Sequence, residues 1–193
     1  MNSSNGKKDR SINARTLLVF FCIFGGMGLL WIFQSGQKRQ AVKNGPTGKV
    51  TFVYDGDTLQ LDGTKKVRLI GVDTLDSHNK NKLNRQAAWL AMQQKHVKYW
   101  AKEATKKLQD WTSGRTVRLE FGPQRRDDYG RTLAYIFVTR GKHEIFVNRK
   151  LIREGLGTAT RKWNHPYRKT FIKLEQQAHR EQRGLWNDAG QKR

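Results

Sequence analysis

The chain is short of cysteine and short of acid, and each shortage narrows its chemistry. Cys22 is the one cysteine, so no intramolecular disulfide can form, no redox compartment can be read from it, and a cysteine-based zinc site is excluded. Asp and Glu number 16 against 38 Lys and Arg, a formal charge of +22 with a pI of about 10.5. Such a balance gathers polyanions at the surface. Nucleic acid, anionic lipid and a merely solvated basic face all satisfy it, so charge alone does not choose. Internal repeats are also lacking, and 193 residues suit one domain of ordinary size plus a tail.

Long apolar runs are limited to one, Thr16 to Phe33, which carries no charge and can cross a hydrocarbon core of about 30 Å. Lys7, Lys8, Arg10 and Arg15 precede it as they would a cleaved secretory signal, but no small-x-small cleavage site follows. The run is therefore read as an uncleaved signal anchor, one transmembrane helix at 16–33 behind a basic tail at 1–15. Lys38, Arg39, Lys43 and Lys49 nearly balance that tail, so the orientation signal is weak; it favours the non-cytosolic side for the rest of the chain. Residues 34–48 read as a polar tether. The folded domain is expected over 49–187, with a short tail at 188–193.

Five strands are predicted inside that domain. Val50–Tyr54, Thr58–Leu61 and Lys66–Val72 form a meander broken at Asp55-Gly56 and Asp62-Gly63, and Val117–Phe121 and Leu133–Val138 alternate apolar and polar residues. Helices are expected at Gln86–Trp111, at Val147–Glu154 ending on Gly155, and at Tyr167–Arg183 ending on Gly184. The pattern suggests an α+β fold, a small five-stranded barrel with about three helices.

Against the basic background, acids recur beside arginines: Tyr54-Asp55-Gly56-Asp57-Thr58, then Arg68-Leu69-Ile70-Gly71-Val72-Asp73-Thr74, then Asp127-Asp128-Tyr129-Gly130-Arg131. Acids can hold a hard cation and arginines can hold a phosphate, which together suggest metal-assisted phosphodiester chemistry. Taken in order, with Asp128 to Tyr135, Val147-Asn148, Leu151 to Leu156 and Gly184-Leu185-Trp186, these segments make Lys49 to Trp186 resemble the thermonuclease (staphylococcal nuclease) family. The resemblance implies an OB-type barrel and a calcium-dependent nuclease acting on DNA and RNA.

The residues also make sense one by one. Asp57 and Asp73, at the ends of neighbouring strands, and the Thr74 carbonyl are oxygen donors of the kind calcium takes, with water and a substrate phosphate to complete the shell. Arg68 and Arg131 are read as a clamp on charge building at phosphorus, although Arg131 alone would be read as a surface ion pair with Asp127 or Asp128. In the family a Glu positions the attacking water; here Asp76, one methylene shorter, stands near that place, with His78 as a weaker candidate base. Tyr129 and Trp163 are placed as substrate-stacking aromatics, Trp163 with an equal claim as a structural cover.

The stretch between Asp76 and Tyr99 is longer than the resemblance leads one to expect. It is open to three readings: a flap over the substrate, a membrane-facing segment carrying Trp89, Met92 and Trp100, or a prolonged helix packed on the barrel. Lys102, Lys106 and Lys107 read as a solvated helix face. Three functions follow: a membrane-anchored nuclease, a catalytically silent nucleic-acid-binding barrel, and a membrane-surface protein using charge alone. The paired acids and arginines favour the first, with no protein partner implied and a monomer expected.

Overall fold

The computed structural model describes residues 44–161 and 164–189. The expected anchor at 16–33, most of the tether and Trp163 lie outside the described residues. Among the described residues no helix is long and apolar enough to cross a membrane.

The strands are β1 (Thr47–Asp55), β2 (Thr58–Leu61), β3 (Lys65–Leu69), β4 (Val72–Asp73), β5 (Thr116–Glu120), β6 (Thr132–Arg140), β7 (His143–Phe146) and β8 (Thr158–Ala159). They run β3-β2-β1-β5-β6-β7 in one sheet, and a parallel pairing of β3 with β6 closes the first five into a barrel. The five expected strands are therefore the five that close it, while β7 is an added hairpin partner of β6. The first strand starts at Thr47, inside the expected tether, because Thr47 to Lys49 pair with Thr116 to Arg118 of β5. Inward-pointing Val50, Val53, Leu59, Leu61, Val67, Leu69, Val117, Leu119 and Ile136 fill the interior and are all at most 3% exposed.

The third expected strand, Lys66–Val72, is interrupted. Gly71 takes a positive φ of 79°, and a Cβ there would collide with His165 and Phe171. The chain turns, and Val72–Asp73 pairs instead with Thr158–Ala159.

Five helices are described rather than about three: α1 (Lys80–Trp89), α2 (Gln94–Thr112), α3 (Val147–Arg153), α4 (Arg168–Arg180) and α5 (Leu185–Asp188). The single helix expected over Gln86–Trp111 splits at Ala91, which adopts φ 47°. Ala91 N–H donates to Ala88 and Met92 N–H to Ala87, the bond pair that ends a helix on a left-handed residue. Glycine normally fills that position; here the burial of Leu90 and Met92, each 5% exposed, offsets a cost of about 1–2 kcal/mol for alanine. The same pair of bonds closes α4 around Gln182. Gly184, expected to stop α4, instead precedes α5 and packs backbone to backbone on Gly155.

Leu75, Leu83, Ala87, Leu90, Met92, Val97, Ala101, Ala178, Leu185 and Trp186 form a second apolar cluster beside the barrel core. The long segment after Asp76 is thus a packed helical pair. Its membrane-facing reading fails, since Met92 is buried and the indole N–H of Trp100 donates to Asp188 at 2.8 Å; of the three residues only Trp89, 61% exposed, faces outward.

Candidate active site

The β2–β3 register pairs Thr58 with Arg68, which sets the Arg68 guanidinium beside Asp57. Its Nη1 lies 2.5 Å from Asp57 Oδ1 and its Nη2 donates to Asp73 Oδ1 at 2.9 Å. The other oxygen of Asp57 accepts the Thr74 amide at 2.7 Å and the Thr74 hydroxyl at 2.9 Å, and Thr58 Oγ1 donates to Oδ1 at 3.1 Å. Burial pushes the Asp57 carboxyl upward, but the Arg68 charge and the Thr74 bonds outweigh it and hold the group below its usual value. Thr74, expected to offer a carbonyl to the cation, aims Asp57 through its N–H and hydroxyl.

Parallel pairing of β3 with β6 sets Val67 against Thr132 and Arg68 against Leu133, so the turn carrying Arg131 opens beside Arg68. Both arginines line one cleft of about 510 Å³ together with Asp55, Asp57, Asp73, Asp76, Asp127 and Lys82. The ion pair set aside on sequence grounds does form: Arg131 Nε donates to Asp127 Oδ2 at 2.7 Å, and its amide donates to Oδ1 at 2.9 Å. Burial raises the Asp127 carboxyl, yet these bonds from Arg131 leave it lowered overall. Asp128 is not the partner. Tyr129 is 84% exposed and does not itself line the cleft; the Arg131 guanidinium stands over one face of its ring at 5.3 Å.

Asp76 reaches the same cleft from a loop. Its Oδ1 accepts the amides of His78 at 2.8 Å and Asn79 at 3.3 Å, so half of the carboxylate holds the turn into α1. Its Oδ2 faces Lys82 Nζ at 3.8 Å, and the same ammonium stands 3.7 Å from Asp73 Oδ1. His78 does not line this cleft; it faces a neighbouring one.

Two residues were missed on sequence. Asp55 lines the cleft, and burial, then the charge of Asp57, pushes its carboxyl up to about 6; the Asp-x-Asp spacing was a signal for it. Lys82 had none, because only the packing of α1 brings it over the acids.

The donor set fits a hard cation. Carboxylates crowd at the cleft closely enough to perturb one another, all candidate donors are oxygens, and Asp57 and Asp73 converge on one guanidinium. Among the described residues no three His, Cys, Asp or Glu side chains alone make a metal group, so water, a backbone carbonyl and substrate would complete the shell.

A family model described as staphylococcal nuclease homologue matches residues 66–188. The thermonuclease of Staphylococcus hyicus is 34% identical over 149 residues, covering 75% of this chain and 78% of that protein. The thermonuclease of Staphylococcus intermedius is 34% identical over 156 residues, 78% of this chain and 82% of that protein. The SPbeta prophage-derived endonuclease YokF of Bacillus subtilis is 30% identical over 142 residues, 70% of this chain and 42% of that protein. With a closed five-stranded barrel, and Arg68, Asp73, Asp76 and Arg131 all inside the matched span, the chain belongs to the staphylococcal nuclease family.

Proposed function

We propose that this protein hydrolyses phosphodiester bonds of DNA and RNA by in-line attack of water, with calcium as its cofactor. Family membership makes it a nuclease, a hydrolase of phosphodiester bonds. One observation carries the finer reading: Arg68, held by Asp57 and Asp73, shares a cleft with Arg131. Two guanidinium groups that cannot lose a proton suit the charge that builds on a five-coordinate phosphorus. Asp127 engages Arg131 through Nε, leaving the two Nη groups to a phosphate.

Asp57 and Asp73, with the Thr74 carbonyl, would hold the cation. Bound there, calcium supplies positive charge against the phosphate oxygens. Asp76 orients the attacking water through Oδ2, the oxygen that its own turn leaves uncommitted, within about 2.6–3.2 Å. Tyr129 stacks a base at the rim, worth about 1–3 kcal/mol without regard to sequence, and Trp163 is kept as a second stacking residue.

The run Thr16–Phe33 is proposed as a single-pass anchor with the barrel on the non-cytosolic side. Alkaline extraction that releases the chain from membranes would remove the anchor.

The deciding assay incubates the full chain, in mild detergent, with single-stranded DNA. Calcium should switch cleavage on, a chelator should switch it off, and the products should end in 3′-phosphate. A chain that binds this DNA and never cuts it at millimolar calcium is the silent binding barrel instead.

A further inference from the structure

A second cleft, of about 220 Å³, adjoins the first and shares Asp55, Asp57, Asp76 and Lys82 with it. Its outer wall is α2, which contributes Lys102 and Lys106, and its mouth carries Tyr54. Tyr54 is 40% exposed, edge-on to exposed Phe52 with ring centres 4.9 Å apart, and Lys66 Nζ stands 4.1 Å from its ring centre. Basic side chains next to solvent-facing aromatics are the elements from which single-strand surfaces are built.

The lysines continue away from the cleft. Lys95, Lys98, Lys102 and Lys106 are all exposed, and their spacing of three, four and four puts them in one arc of about 80° along α2. Val97, Ala101, Ala104 and Leu108 are buried on the other side. The stripe covers 11 residues of rise, about 16 Å, the axial length of about five nucleotides of one strand. Among the described residues, none of these four lysines has an acid within ion-pair distance, whereas Arg131 has one and Arg68, Lys82 and Arg118 have two each. Like charges three and four apart weaken a helix, so this stripe works against the element that carries it. A polyanion laid along it removes that conflict.

We infer that the lysine stripe of α2 and the adjoining cleft bind the continuation of the single strand whose scissile phosphate lies between Arg68 and Arg131. The inference rests on the nuclease reading for its starting point. Lys102 and Lys106 take the phosphates nearest the cleft, Lys98 and Lys95 those further out, and Tyr54 offers a face to a base at the junction. A nucleic-acid strand fits better than a lipid surface because the stripe runs into the cleft that adjoins the catalytic one, shares Asp55, Asp57, Asp76 and Lys82 with it, and carries the aromatic Tyr54. The substrate is thus a strand several nucleotides longer than the clamp itself requires.

The test measures fluorescence anisotropy of labelled oligothymidylate, 4 and 12 nucleotides long, on the full chain in detergent with chelator present. The wild type should bind the 12-mer at least about tenfold more tightly than the 4-mer. Changing Lys95, Lys98, Lys102 and Lys106 together to Gln should abolish most of that gain, weaken the 4-mer far less than the 12-mer, and flatten the salt dependence of the 12-mer by about 0.7 in log–log slope for each lysine. The four-arginine version should keep the gain. Equal loss for both lengths, or no loss for the 12-mer, overturns the inference.

Acylation of the four lysines, read by mass spectrometry on the chain reconstituted in vesicles, addresses the lipid alternative. Protection by the 12-mer supports the groove; protection by phosphatidylglycerol alone overturns it. Because binding is read without hydrolysis, length-dependent affinity in a chain that never cuts would count against the nuclease reading and leave the groove standing. Cleavage with length-independent affinity does the reverse.

Discussion

Asp57 sits on the barrel, 5% exposed, with both oxygens taken by Arg68, Thr58 and Thr74. Asp76 lines the same cleft from the rim, bonded through Oδ1 to amides two and three residues further along its own turn. The floor of the cleft is held by residues far apart in the chain, and the rim by near neighbours. Removing a side chain from the floor therefore disturbs fold and chemistry together; removing one from the rim disturbs chemistry with little effect on the fold.

The largest expected effect is at the floor. Arg68→Ala strands the buried Asp57 charge, a loss typically of about 3–5 kcal/mol, and removes a phosphate donor that is worth about 100-fold or more in turnover. Urea unfolding and steady-state kinetics on the same preparation should both register it. If stability held, the floor would not be a fold element and the contrast would fail.

Arg131→Ala is the rim counterpart. Turnover should again fall by about 100-fold or more, but stability by no more than about 1 kcal/mol, since the ion pair with Asp127 is partly exposed. Nonspecific DNA binding should persist, carried by the many other cations; parallel loss of binding and turnover would sink the clamp.

Asp76 sharpens the comparison within one side chain. Asp76→Asn keeps an acceptor for the turn and loses the carboxylate, so activity should drop by about 100-fold with stability nearly unchanged, whereas Asp76→Ala should also cost about 0.5–2 kcal/mol as lost caps do. Asp76→Glu should leave activity equal or higher by restoring reach. Retained activity in Asp76→Ala with loss in His78→Ala would move the water-positioning role to the histidine.

The smallest effect is a pH dependence carried by a histidine of the same cleft, His165. Burial, then the nearby Arg168 charge, lowers the pKa of His165, whose Nδ1 lies 3.0 Å from the Tyr135 hydroxyl. The unfolded chain then binds more protons, so the stability His165 contributes is complete above about pH 6.5 and is lost as pH falls through the lowered value. The slope is at most about 1.4 kcal/mol per pH unit. His165→Asn should remove this rising contribution from urea midpoints between pH 5 and 7, leaving the opposite, falling contribution of the raised Asp55 carboxyl; an unchanged profile would place the titration elsewhere.

Residue chemistry and local pattern were legible in the chain itself. Alternation and Asp-Gly turns located the barrel strands, and the acids and arginines named their own partners in charge, because these properties belong to side chains or to a few consecutive residues. Register was not legible. Sequence spacing does not reveal that β3 runs beside β6 in parallel, which is what joins Arg131 to Arg68, nor that burial of Leu90 and Met92 stabilises a left-handed Ala91 and breaks one helix into two. The same holds for Lys82, set over Asp73 and Asp76 by the packing of α1, and for Asp127 taking Arg131 where Asp128 does not. The sequence by itself determined the kinds of groups available and the local turns that present them. Tertiary structure decided which groups meet, since that depends on contacts between distant segments whose burial outweighs local preference.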